Sequence, residues 1–212
     1  MPKFLIIICL LCSSLVFSQS RYVIKRSVPQ QETVKNTLDA QLSHLAFSIT
    51  QNSSSQHQKA KAIYRWIITN INYDFDLRLS KSLQKKIYTS EYNVIAHVLK
   101  RKKALCGGYA FLFKALCERV GISSEYIHGF TKMATSYNAP NHTWNAVKLN
   151  GQWHLLDLTW ANSHKNANHT DDYWFLTNPE IFVRSHFPLE ERWTLLKDTP
   201  RLSDFANSSS RP

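Results

Sequence analysis

Cys106 is the residue whose type and position could supply a nucleophile. It stands immediately before a run with helical periodicity and is followed by Gly107 and Gly108. At the start of a helix the exposed backbone N–H groups and the helix dipole favour an anion, so the thiolate form is stabilised. The two glycines can let a substrate backbone approach without a Cβ in the way. A small buried residue at a helix start is the simpler explanation for a single cysteine, so a nucleophile also requires a base.

His142 and Asp157 are the candidates for that base and for the carboxylate that orients it. Asn150-Gly151 separates two alternating apolar runs, which is typical of a two-residue hairpin turn. The register set by this turn puts Thr159 opposite His142. His142 and Asp157 then become diagonal neighbours on one sheet face, roughly 7–8 Å apart. The same register puts His154 on the other face, away from the site.

The three residue types predict a Cys-His-Asp site with a division of roles. Asp157 would hold one imidazole nitrogen, His142 would take the thiol proton, and Cys106 would attack a carbonyl carbon. The backbone N–H of Cys106 would be one oxyanion donor, and Tyr73 or a tryptophan side chain could be the second. A strand histidine and a carboxylate at a hairpin end are ordinary features, so the prediction depends on their joint occurrence.

The elements that must position these residues follow an α+β plan, with helices first and strands after. Periodicity predicts helices at about 31–50 and 56–71, one carrying Val94 to Leu99, and one from Cys106 to a left-handed cap at Gly121. It predicts a solvated loop at 78–86, strands at 125–131, 142–149, 152–159 and 173–176, a helix at 179–186 and a frayed tail at 208–212.

The first 18 residues are typical of an export signal. Lys3 gives a positive start, and residues 4–17 form an almost unbroken apolar run. The run is shorter than the ~20 residues that a transmembrane helix needs. We expect the signal to be removed, leaving 212 − 18 = 194 residues of an exported protein with no membrane-spanning segment.

Cysteine usage follows from that cleavage. Cys9 and Cys12 leave with the signal, and Cys106 and Cys117 remain. Eleven residues on one helix separate the remaining pair by roughly 16 Å, too far for a disulfide. Cys117 lies on the apolar helix face and is expected to fill the core.

Composition and charge bound the class of protein. A hydrophobic content of 43% with 5 Gly and 7 Pro excludes disordered and collagen-like chains. Lys and Arg total 26 against 15 Asp and Glu, a net charge of +11, or +10 without Lys3. This charge favours an anionic partner such as an envelope polymer, and no motif for nucleic acid is present.

Three ordered motifs carry a resemblance to the transglutaminase-like superfamily. They are Leu105-Cys106-Gly107-Gly108-Tyr109-Ala110, Asn141-His142-Thr143-Trp144-Asn145-Ala146-Val147, and Gly151-Gln152-Trp153-His154-Leu155-Leu156-Asp157-Leu158-Thr159-Trp160. The segments 63–67 and 70–74 resemble the family upstream of the cysteine. Segments 173–176, 186–188 and 193–196 are similar to the branch that contains kyphoscoliosis peptidase and exported bacterial proteins.

The resemblance implies a papain-like core in circularly permuted order, with Cys106 as nucleophile, His142 as base and Asp157 as orienting acid. It also implies a thioester acyl-enzyme formed from a protein or peptide amide and resolved by an amine or by water. No cofactor or metal is implied in the chemistry. Some members of the branch have lost the triad, so a non-catalytic binding or scaffold domain is the alternative.

The predicted organisation is a signal at 1–18, an N-terminal helical segment at 19–55, a catalytic domain at 56–197 and a C-terminal tail at 198–212. Two clusters stand outside the triad. His164, His169, Asp171 and Asp172 could ligate a cation, although a solvated loop is the expected state. Trp144, Trp153 and Trp160 could line an acyl-donor groove, or pack the sheet on the cysteine helix.

Overall fold

The computed structural model describes residues 30–164 and 172–208. The signal predicted at 1–18, the loop residues His169 and Asp171, and residues 209–212 of the tail lie outside them. The first part of the fold contains α1 (Gln30–Thr50), α2 (Gln56–Asn70), β1 (Asn72–Tyr73), α3 (Phe75–Leu79), α4 (Lys81–Ile87), α5 (Glu91–Arg101), β2 (Lys103–Ala104) and α6 (Cys106–Arg119). The second contains β3 (Ser124–Thr131), β4 (His142–Leu149), β5 (Gln152–Leu156), α7 (Leu158–His164), α8 (Pro179–Phe182), β6 (His186–Pro188), a 3₁₀ turn (Glu191–Thr194) and α9 (Leu202–Asn207).

Helix α6 is the centre of the molecule. It packs against the helices α1, α2 and α5 and against the strands β3 and β4. Tyr109, Phe113 and Leu116 are almost wholly buried in this position. Two hydrogen bonds fix the helix: the Tyr109 hydroxyl donates to the carbonyl of Ile71 at 3.1 Å, and Asn145 Nδ2 donates to that of Ala110 at 3.1 Å. The start of α6 is therefore held in one place relative to the sheet.

The sheet is antiparallel, in the order β5-β4-β3-β6. The hairpin turn predicted at Asn150-Gly151 is present, with φ of 50° and 86° at its two residues. Val147 pairs with His154, as the predicted register requires. The ladder ends where Asn145 pairs with Leu156, so the predicted strand to residue 159 is wrong. The chain turns into α7 instead, and His142 has no strand partner on β5.

The structure confirms four predicted helices within a few residues. They are the helices at 31–50 and 56–71, the helix that carries residues 94–99, and the helix that begins at Cys106. The left-handed cap at Gly121, with φ of 74°, is confirmed as well. The solvated loop predicted at 78–86 is wrong, because this stretch contributes to α3 and α4. Ser80 Oγ accepts from the backbone N–H of Leu83 and caps α4, and Ile87 is buried at its end.

Two predictions between 173 and 186 are also wrong. Residues 173–176 form turns, and only Thr177 makes an isolated bridge, to Leu155. The helix predicted at 179–186 is a single turn capped by Asn178, after which His186 enters β6. Short segments such as these follow tertiary pairing, here the pairing of β6 with β3, more than their own periodicity. A further short helix, α9, stands in the predicted C-terminal tail.

Helix α1 belongs to the same core as the rest of the fold. Leu38, Leu42 and Ala46 are buried in the cluster that also contains the apolar side chains of α6 and β4. Within residues 30–164 and 172–208, no helix combines the length and the apolar character needed to cross a bilayer.

Candidate active site

Cys106 is the first residue of α6 and is partly exposed. Leu105, which precedes it, makes no side-chain cap to the first turn of the helix. The two following glycines serve packing rather than substrate approach. A Cβ at Gly108 would come within 2.9 Å of Val98 on α5, and one at Gly107 within 3.2 Å of Tyr88. Their small size lets α6 lie close to its neighbours, which corrects the role expected from the sequence.

The His142 and Asp157 side chains are in contact, as predicted, but the local structure that brings them together differs from the predicted one. His142 begins β4, and His142 Nε2 lies 2.6 Å from Asp157 Oδ2. Asp157 stands between β5 and α7 and caps that helix. Its Oδ1 accepts from the backbone N–H groups of Thr159 at 2.7 Å and Trp160 at 3.1 Å. Helix capping, not a strand ladder, therefore fixes the carboxylate that faces the imidazole.

Cys106 completes the group. Its thiol lies close enough to the His142 ring for the imidazole to lower the pKa of the thiol. Because His142 Nε2 is occupied by Asp157, Nδ1 is the nitrogen left for the sulfur. The structure thus brings together all three side chains singled out in the sequence.

The electrostatics of the three groups favour an ion pair. Burial opposes the charged form of His142, but Asp157 outweighs it and raises the pKa of the imidazole to about 10. Burial also opposes the Cys106 thiolate, yet the hydrogen bond and charge of His142 lower the pKa of this thiol below its ordinary value. Burial raises the pKa of Asp157, and the charge and hydrogen bond of His142 more than reverse this, holding it well below the usual range. The arrangement supports a thiolate beside an imidazolium.

Cys117 behaves differently. It is fully buried in the core, and burial raises the pKa of its thiol. Cys106 and Cys117 are both free, so the described residues offer one activated thiol and one inert thiol as an internal reference.

His186 is a residue of the site that the sequence analysis missed. It is fully buried, with Nε2 at 3.0 Å from Asp157 Oδ2 and Nδ1 at 2.8 Å from Ser185 Oγ. Burial lowers its pKa, so the ring is neutral and donates from Nε2 to the carboxylate. The motif at 186–188 was its only sequence signal. Because a helix was predicted up to residue 186, the contact of this residue with Asp157 was not expected.

Two groups of side chains are of the types that bind metal ions. The ligand atoms of His142, Asp157 and His186 lie within 4.8 Å of one another, but these atoms already hydrogen-bond each other. In the predicted loop cluster, Asp172 pairs with Lys61 at 3.0 Å and with Arg65 at 2.7 Å. Asp172 is therefore already neutralised by side chains of α2.

A cleft of about 850 Å³ opens beside Cys106. Its walls come from β1, α3, α4, the start of α6, the end of β3 and the start of α7. The side chains of Tyr73 and Trp160 line it, whereas Trp144 is buried and Trp153 packs edge-on against Trp193 at 5.1 Å. Of the three tryptophans predicted to line a groove, Trp160 lines this cleft and Trp144 and Trp153 do not.

A helix-start thiol packed against a histidine of an antiparallel sheet, with a carboxylate just beyond the end of a neighbouring strand, is the architecture of papain-like and transglutaminase-like folds. The transglutaminase-like superfamily model matches residues 43–158, and the chain belongs to this superfamily. The chain is 32% identical over 190 residues to human kyphoscoliosis peptidase, and 31% identical over 184 residues to the Mus musculus protein of the same name.

These alignments cover 84% and 81% of this chain, and it spans about a quarter of each relative, 27% in both cases. A solved structure of a TGase is 17% identical, with a TM-score of 0.45 over 72% of this chain and 38% of that chain.

Proposed function

We propose that this protein is a cysteine-dependent acyltransferase or amidohydrolase that acts on protein or peptide amides. The observation that carries the proposal is the continuous contact from the Cys106 thiol through His142 to the buried Asp157 at the wall of an open cleft. Membership of the transglutaminase-like superfamily supports the same reaction class.

The proposed reaction begins with attack of the Cys106 thiolate on the carbonyl carbon of an amide. The C–N bond breaks, His142 gives its proton to the leaving ammonia or amine, and a thioester remains on the sulfur. A second nucleophile, an amine or water, then attacks the thioester, gives a proton to the neutral His142, and releases the thiolate. The product is a transferred amide, a deamidated side chain or a cleaved peptide.

The developing oxyanion needs donors that are already in place. The backbone N–H of Cys106 is one, because the first N–H groups of a helix have no intrahelical acceptor. Tyr73 and Trp160 both line the cleft, and we propose that one of them supplies the second donor. Burial is the main cause of the raised pKa of Tyr73, and the charge of Cys106 adds to it. The Tyr73 hydroxyl is therefore close enough to the sulfur to interact with it electrostatically.

The test is to trap the acyl-enzyme. The protein is incubated with a glutamine-containing peptide, with and without a primary amine, and intact-mass spectrometry follows the adduct on Cys106 and the three possible peptide products. We expect a thioester adduct that Cys106→Ala abolishes and Cys117→Ala keeps. Product formation that survives Cys106→Ala would refute the proposal, and a binding domain without catalysis would form no adduct.

We also propose that the chain is exported, on the strength of the basic start and apolar run in residues 1–18. Expression of the full sequence in a bacterial host, followed by N-terminal sequencing of the periplasmic fraction, tests this. A start near residue 19 supports export. Recovery of the uncleaved chain in the cytoplasm contradicts it.

A further inference from the structure

The cleft beside Cys106 has a cationic wall. Arg78 near the end of α3 and Lys81 at the start of α4 both line it, and both residues are exposed. Apart from His142, they are the titratable cations of the described lining, which contains no aspartate or glutamate. A carboxylate entering the cleft would therefore meet two positive charges at this wall, while the negative group of the lining, the Cys106 thiolate, is paired with the His142 imidazolium.

The acidic residues near this wall are already neutralised. Asp74 is fully buried and bonded to the Arg101 guanidinium, with Nη2 at 2.8 Å from Oδ2. Asp76 pairs with Lys103 at 3.1 Å. By contrast, the structure of residues 30–164 and 172–208 gives no ion pair to Arg78 or Lys81, although Arg78 lies near enough to Tyr73 for its charge to act against the raised pKa of that hydroxyl. The positive charge of the wall is available to a ligand.

The rest of the rim is apolar. The Phe75 side chain is 64% exposed and that of Met133 is 78% exposed, and both line the same cleft with Trp160. Exposed large apolar side chains grouped at a cleft are typical of protein-binding surfaces. A polyanion without apolar groups would leave these side chains in water, whereas a peptide can cover them and reach the cations.

We propose that this cleft binds acidic peptide segments, with Arg78 and Lys81 contacting carboxylates on the side chains that flank the reacting amide. The proposal relies on the proposed function for the peptide nature of the ligand. It adds a substrate class that the triad itself does not specify, since the thiol, imidazole and carboxylate act on the amide alone.

The experiment measures binding without chemistry. The probe is a fluorescein-labelled peptide with one glutamine flanked on each side by two glutamates, and its control has serines in place of the glutamates. Both are titrated against Cys106→Ala by fluorescence anisotropy, so no thioester can form. Two double variants are compared in that background: Arg78→Gln with Lys81→Gln, and the matched pair Lys35→Gln with Lys197→Gln, which are exposed residues outside the cleft lining.

At about 0.01 M salt, where the Debye length is roughly 30 Å, we expect the glutamate peptide to bind about five- to tenfold tighter, as two exposed ion pairs allow. The preference should vanish near 1 M salt, lose most of its size in the Arg78/Lys81 variant, and persist in the Lys35/Lys197 variant. Equal binding of the two peptides, or a preference that loss of Arg78 and Lys81 lowers no more than loss of Lys35 and Lys197 does, would overturn the proposal. The proposal would also be overturned if polyphosphate binding depended on Arg78 and Lys81 while the two peptides bound equally well.

Failure of the proposed reaction gives a separate result. If the acyl-enzyme assay is negative but the glutamate preference depends on Arg78 and Lys81, the cleft is an acidic-peptide site without that chemistry. If turnover is observed without the preference, the substrate class is wrong and the reaction stands.

Discussion

Replacing His142 with asparagine should convert Cys106 from an activated thiol into an unactivated one. In the native structure, burial opposes the thiolate, and the hydrogen bond and charge of His142 outweigh that cost and lower the pKa. The variant removes both favourable contributions and keeps the burial. The pKa of Cys106 should therefore move above its ordinary value.

The size of the effect follows from the thiolate fraction. A free thiol with a pKa of about 8.5 is roughly 3% ionised at pH 7, so a fully formed ion pair reacts up to about 30-fold faster. The lower intrinsic nucleophilicity of a low-pKa thiolate offsets part of this gain. Because the pKa of the variant thiol lies above that of a free thiol, we expect the alkylation rate of Cys106 at pH 7 to fall by about 5- to 30-fold or more in His142→Asn.

The assay is iodoacetamide labelling as a function of pH, resolved by site with mass spectrometry. In the wild type, labelling of Cys106 should persist below pH 8.5, because its pKa is lowered. It should then stay level until the imidazolium loses its proton near pH 10 and the freed thiolate becomes more nucleophilic. In the variant a single rise at alkaline pH should replace this profile.

Two controls belong to the same experiment. Cys117 is fully buried with a raised pKa and should label slowly in every variant. His154→Asn makes the same substitution on β5 of the same hairpin, at a residue outside the cleft lining, and should leave the Cys106 profile unchanged. Rates for His142→Asn within twofold of the wild type across the pH range would refute the ion-pair interpretation.

Two further predictions concern the surroundings of the triad. Gly129→Ala should lower the free energy of unfolding by about 1–3 kcal/mol or more in urea titrations, because the added Cβ would lie 2.3 Å from the Trp144 ring; unchanged stability would contradict the packing described. His186→Phe should cost about 1.5–3 kcal/mol through the lost hydrogen bond to the Asp157 carboxylate. The substitution should also move the rise in alkylation rate near pH 10 to higher pH, because the Asp157 carboxylate then interacts with His142 alone. If that rise does not move, His186 has a purely structural role.

Local patterns in the sequence predicted a large part of this fold. The helix that begins at Cys106 and the burial of Cys117 follow from helical periodicity, which depends on residues three and four apart. The Asn150-Gly151 turn was predictable because a two-residue hairpin turn needs positive φ at both positions. That turn set the register that pairs Val147 with His154. The same local signals selected His142 and Asp157 as partners for the cysteine.

Features that depend on contacts between distant segments were not predictable in this way. Asp157 meets His142 because it caps α7, although the sequence indicated a continuing strand. His186 reaches the same carboxylate because β6 pairs with β3. The cationic wall exists because α3 and α4 fold over the cleft where a loop was expected.

The sequence by itself therefore determined which residue types carry the chemistry and which local elements present them. Only the tertiary structure decided what surrounds those residues: the second histidine on Asp157, the packing role of Gly108, and the cleft that Arg78 lines. The physical reason is the range of the interactions. Periodicity and turn preferences are properties of a few adjacent residues, whereas burial, shared hydrogen bonds and unpaired charge depend on segments that meet only when the chain has folded.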